Sequence, residues 1–118
     1  MALDYFRQIN GLDVDQGLKN CMDDADLYAS ILEMYVNQLN DNIPELENLY
    51  NSQDWSAYGK TCHAIKGASA SVGAVNIQSC AAGLETAGKD MNAGVIEQGH
   101  SAFCQQLRQA ITDLSQTN

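Results

Sequence analysis

Positive charge is scarce in this sequence. Six Lys and Arg stand against fifteen Asp and Glu over 118 residues, a net charge of −9. Such a balance excludes nucleic acid and an anionic membrane surface as partners. No apolar run approaches the ~18 residues of a membrane span. The four cysteines, Cys21, Cys62, Cys80 and Cys104, include no C-x-x-C pair, and no secretory signal precedes them. A disulfide framework, a zinc pattern and C-x-x-C-H haem attachment are thereby excluded, and reduced thiols in the cytoplasm are expected. A phosphate-cradling glycine loop, a kinase signature and a G-x-S-x-G elbow are also missing, so the chain has no means to bind ATP and phosphorylate itself.

What is present reads as helix. Apolar residues make up 45% of the chain and charged ones 18%, ordinary for a globular protein. The length suits one domain spanning residues 1–118, and a monomer is expected. Leu3, Phe6 and Ile9 predict a short N-terminal helix ended by Asn10-Gly11. Asp13 is a candidate cap for a second short helix through Leu18 and Cys21, weakened by Gly17. The run Asp23-Asp24-Ala25-Asp26 puts carboxylates at a helix start, where the macrodipole favours them. Leu27, Ile31, Leu32, Tyr35, Leu39, Ile43, Leu46 and Leu49 then keep helical register, and the single proline, Pro44, predicts a kink rather than an end.

Asn51 to Asp54 predicts a turn, with Asp54 capping the next helix and Gly73 stopping it. A further helix carries Ile77, Cys80, Ala81, Leu84 and Ala87 and stops at Gly88, with Cys62 and Cys80 on core stripes. The last runs from about Ala93 to Leu114, with Ile96, His100, Phe103, Leu107, Ala110, Ile111 and Leu114 on one stripe, before a frayed polar tail from Ser115 to Asn118. Four long amphipathic helices joined by short turns, with no strand-period segment, predict an all-α antiparallel four-helix bundle with short extra N-terminal helices.

The helix between Asp54 and Gly73 carries the chemistry. At ~100° per residue, Trp55, Tyr58, Cys62, Ile65, Ser69 and Val72 share one side and form the core face. His63 points the other way, within roughly 60° of Ser56, Gly59, Lys60, Lys66, Gly67 and Ala70. Two of the six cations therefore flank one exposed imidazole. Each glycine costs ~1 kcal/mol relative to alanine in a helix interior, so Gly59 and Gly67 need a reason. Either the helix packs loosely there, or side chains are cleared so that another molecule reaches the imidazole.

The pattern His63-x-x-Lys66-Gly67-x-Ser69-x-x-x-Gly73-Ala74, followed by Ile77, Cys80 and Leu84-Glu85, resembles the signature of histidine-containing phosphotransfer (HPt) domains. Weaker likeness extends from Gly11-Leu12-Asp13 to the last helix. The resemblance implies a four-helix bundle that carries phosphoryl groups between aspartates of response-regulator receiver domains, fed by a hybrid sensor histidine kinase. It also implies that Mg²⁺ comes with the receiver, this chain binding no cofactor. Some members carry glutamine at the position of Glu85, able to donate toward the phosphoryl group. An ionised glutamate only accepts, so that role is not carried over.

On this reading His63 is the phosphoacceptor, and Lys66 supplies charge to the phosphoryl oxygens at little cost to the fold when removed. Ser56, Gly59, Lys60, Gly67 and Ala70 form the docking face. The chain is then a phosphocarrier without catalytic activity of its own. Two alternatives remain: a receiver-docking module that takes no phosphate, and an HPt-type domain phosphorylated directly by a kinase module. Starting at Met1 and ending four residues after Leu114, the chain reads as free-standing. Glu97-x-x-His100 matches half of a di-iron ligand pattern, but Lys60 occupies the position three before His63, so the second copy is missing and no metal is expected. His100 reads instead as a hydrogen-bonded, partly buried histidine.

Overall fold

Carboxylate caps set the helix starts. In the computed structural model, which describes residues 3–115, the helices are α1 (Leu3–Arg7), α2 (Val14–Asn20), α3 (Ala25–Asn51), α4 (Trp55–Val72), α5 (Val75–Lys89) and α6 (Ala93–Ser115). Asp13, Asp24 and Asp54 each accept a hydrogen bond from a backbone N–H in the first turn of α2, α3 and α4. Each such cap is worth ~1 kcal/mol. The helix α3 continues through Pro44, and Pro44 is exposed. Asn51 belongs to α3 rather than to the turn, and α5 runs one residue past Gly88. Of the tail expected to fray from Ser115, Ser115 itself is helical as the last residue of α6, and residues 116–118 lie outside the described residues.

The apolar stripes meet in one core. From α3 come Tyr28, Leu32, Tyr35, Leu39, Ile43 and Leu46; α4 adds Trp55, Tyr58, Cys62, Ile65 and Val72; α6 adds Ile96, Phe103, Cys104, Leu107 and Leu114. Burying each large side chain stabilises the fold by ~1.5–3 kcal/mol. Around this core α3 packs on α4, α4 on α5, α5 on α6, and α6 returns to α3. With connections only two or three residues long, successive helices fold back on one another as an antiparallel four-helix bundle. Cys80 departs from expectation. It is exposed at the outer groove between α5 and α6, beside Gly83, Val95 and Gly99, because α5 turns Ala81, Glu85 and Gly88 inward instead.

The helix α4 is held at both ends and along its length. Gly73 ends it at φ 84°, and a Cβ there would sit 2.1 Å from the Asp13 carbonyl oxygen. That closeness lets Asp13 N–H donate to the Gly73 carbonyl at 2.7 Å and Val75 N–H to Gly11 at 2.9 Å. Tyr28 Oη donates to the Val72 carbonyl at 2.8 Å, Tyr35 Oη and Ser69 Oγ are 2.6 Å apart, and Thr61 Oγ1 donates to Glu45 Oε1 at 2.5 Å. The helix that carries His63 is thus a fixed platform.

Where α4 meets α5 the backbones nearly touch. A Cβ on Gly88 would lie 2.7 Å from both Gly59 Cα and the Trp55 carbonyl oxygen, while one on Gly67 would meet nothing within 4 Å. Gly88→Ala is therefore expected to lose ~1–3 kcal/mol in urea unfolding, because overpacking against backbone outweighs helix propensity. Gly67→Ala is expected to gain up to ~1 kcal/mol. A Gly88→Ala variant as stable as wild type would show that α5 yields freely at this contact.

Candidate functional site

His63 stands on the outer face of α4 with its side chain 67% exposed. One nitrogen of its ring is engaged. Nδ1 lies 2.8 Å from Oε2 of Glu85, which α5 presents from one helix away. Glu85 is buried, only 4% exposed, and three cationic or protic groups converge on it. Lys66 Nζ is 2.6 Å from Oε1, and Lys89 Nζ is 3.2 Å from the same Oε2 that meets His63. The Lys66 ammonium above all, then His63 and Lys89, hold this carboxyl down to about 2 against the opposing effect of its burial.

That ionisation fixes the histidine's tautomer. An ionised carboxylate has no hydrogen to give, so Nδ1 must carry the hydrogen and donate it. A neutral His63 then presents its lone pair on Nε2, turned away from Glu85 toward solvent. The chemistry available is nucleophilic attack by Nε2, with Glu85 set to stabilise positive charge that develops on the ring.

The pH dependence follows from the same pairing. Glu85 is depressed from an ordinary 4.5 to about 2, so the unfolded chain binds the proton first. Its contribution to stability is fully present above the unfolded carboxyl range and is lost as pH falls towards 2. Relative to Glu85→Gln, the wild type is expected to lose stability as pH drops from about 5 to about 2. Parallel urea-unfolding profiles for the two proteins over that window would disprove the pairing.

The residues expected around His63 divide into two sets. Ser56, Lys60 and Gly67 are exposed on the open side. Lys66, Ala70 and Gly59 lie on the side that faces α5. Ala70 is half-buried there. Gly59 is buried, its backbone closed over by Glu85 and Gly88, so it packs helices and cannot belong to a docking face. Lys66 is also not the dispensable surface cation expected from the sequence. It compensates a buried carboxylate, and its removal must cost the fold some stability.

Lys89 is the residue that sequence reasoning missed, and Glu85, noted in the motif, was left without a role there. The available signal was a carboxylate three residues before buried Gly88 and four after buried Ala81, with a lysine at i+4. A charge on a core stripe is retained only where something pairs it.

His100 occupies a different place, against the aromatic end of the bundle. Its Nδ1 is 2.7 Å from Tyr58 Oη, and its ring stacks on Tyr50 at 4.0 Å with the planes 5° apart. Burial pushes this histidine down from its ordinary value. It is the partly buried, hydrogen-bonded histidine that its stripe position implied.

No group of three or more His, Cys, Asp and Glu among the described residues is placed to hold a metal ion. The carboxylate beside His63 already faces two ammonium groups, a donor set that does not fit a cation. No described helix is long and apolar enough to cross a membrane.

Comparison with known proteins gives one match. No curated protein and no solved structure matches significantly. The family model of the Hpt domain matches residues 30–117, a stretch that takes in α4, α5, α6, the whole His63–Glu85 pairing and most of α3. By that match the chain belongs to the Hpt domain family, phosphocarrier domains of histidine phosphotransfer in phosphorelay signalling.

Proposed function

We propose that this protein is a phosphorelay intermediate that takes a phosphoryl group from a receiver-domain aspartate onto His63 Nε2 and passes it to a second receiver. The observation that carries this reading is the Glu85–Nδ1 contact, which leaves Nε2 as the outward nucleophile. In the forward step the Nε2 lone pair attacks phosphorus in line. The aspartyl oxygen–phosphorus bond breaks, and its electron pair returns to the receiver's carboxylate. Nδ1 keeps its hydrogen, so the phosphorylated ring is an imidazolium facing an ionised carboxylate. Transfer onward runs the same step in reverse.

The surface suits such a partner. Lys60, Lys66 and Lys89, half of the six cations, surround His63 in a chain of net charge −9, and Gly67 with Ser56 leaves the approach bare. A receiver's acidic pocket meets here the largest cluster of cations among the described residues. The Mg²⁺ that the family uses would come with that receiver, since the donor set beside His63 does not fit one. The carrier would serve receiver domains and a hybrid sensor histidine kinase as a cytoplasmic monomer.

The test is acid-labile, base-stable radiolabel transfer from a panel of phosphorylated receivers, without ATP. Labelling by at least one receiver supports the reading. Labelling only when an ATP-bound kinase module is added would favour direct phosphorylation, and docking without labelling would favour a pure interaction module.

A further inference from the structure

Lys89 has no part in the transfer step itself beyond adding charge to the docking face. It sits four residues after Glu85 on α5, its side chain 71% exposed, and it shares the Oε2 atom of Glu85 with His63 Nδ1. Lys66 takes the other oxygen, Oε1. Two ammonium groups on one buried carboxylate exceed what neutralising it requires. The surplus is available to a second anion at the site.

Phosphorylation supplies that anion. The ring then bears a positive charge at Nδ1–H, directed at the very oxygen that Lys89 occupies, while a dianionic phosphoryl group appears on the opposite nitrogen. Competition at Oε2 weakens the hold on Lys89, and the new anion attracts it. The flexible four-carbon stem and high exposure let the ammonium move without disturbing α5. Lys66, half-buried and on its own oxygen, is less easily displaced.

We propose that Lys89 is a second cation for the phosphoryl group, kept on Glu85 in the unphosphorylated protein and handed to the phosphoryl oxygens once His63 is modified. This rests on His63 Nε2 being the phosphoacceptor. It makes Lys89 a positioning and charge-stabilising residue whose partner changes with the state of the site. Lys60, exposed on the opposite side of His63 and in no ion pair among the described residues, provides the internal comparison.

The test uses potassium phosphoramidate as donor, so that no receiver or metal enters. Nε2 forms its bond to phosphorus as the donor's phosphorus–nitrogen bond breaks and ammonia leaves, with Nδ1 retaining its hydrogen. The phosphorus-31 resonance of the labelled protein is then titrated. A neighbouring cation favours the dianion, so Lys89→Gln should move the phosphoryl titration upward by ~0.2–0.7 pH unit at low salt, the range of an exposed ion pair. Lys89→Arg should recover most of the shift, and ~1 M salt should erase it. An unchanged titration in Lys89→Gln, or a shift no larger than that of Lys60→Gln, would overturn the handover. Absence of label on wild-type His63 would be a different failure, that of the phosphoacceptor reading itself.

Discussion

His63→Gln is expected to carry no acid-labile, base-stable phosphoryl label from any receiver that labels the wild type. Its helicity should be unchanged, because the ring is two-thirds exposed and contributes little to the core. His100→Gln is expected to behave in the opposite way. That ring fills the space between Tyr50 and Tyr58 and satisfies a fully buried tyrosine hydroxyl. Its loss should cost ~1–3 kcal/mol of stability while labelling persists. The pair of variants therefore separates chemistry from architecture. Full labelling of His63→Gln would overturn the site assignment, and loss of labelling in a folded His100→Gln would move the acceptor to the other end of the bundle.

The second large effect is expected at Lys66. An ammonium 2.6 Å from Glu85 Oε1 stands one helical turn from His63, close to where the phosphoryl oxygens would arrive. Charge-assisted hydrogen bonds support transfer differences of 10- to 100-fold, so Lys66→Ala should slow transfer by roughly that factor at low salt. Lys66→Arg should restore part of it, since charge is kept on a differently shaped group. Because Glu85 loses its closest cation, the variant should also melt earlier than wild type. Lys66→Ala combined with Glu85→Gln tests this, since the double variant should regain thermal stability without regaining transfer. Wild-type transfer in a folded Lys66→Ala protein would remove the lysine from the mechanism.

Much of the fold was legible because caps and stripes are local. Asp24 and Asp54 are visible as helix starts, Gly73 as a stop, and the α4 stripe from Trp55 to Val72 predicts which face is buried. His63, Lys66 and Gly67 emerge from the same wheel. What the wheel leaves out is which neighbour closes on each flank. Gly59 lies close to His63 in angle and is nevertheless buried, because Gly88 on a separate helix allows α5 to approach within contact of its backbone. The same approach brings Glu85 under the imidazole, 22 residues away in the chain. Periodicity within one helix carries no information about such a pairing. Cys80 was misplaced for a related reason: the rest of its stripe, Ile77, Ala81, Leu84 and Ala87, is buried as expected, but Cys80 lies at the edge of that stripe, where no neighbour closes over it.

The docking of the N-terminal loop on Gly73 bears on where the protein can be cut. The family match starts at residue 30, yet the Tyr28 hydroxyl that holds Val72 and the Asp13 N–H that binds the Gly73 carbonyl both lie before it. A fragment designed on the family boundary would keep every residue of the His63 pairing and still lose the clasp at the far end of its helix. It would also uncover Val72 and Ala74, now 1% and 5% exposed. Recombinant fragments, fusions and grafted chimaeras should therefore start upstream of α1 and treat the first two short helices as the latch of the carrier helix.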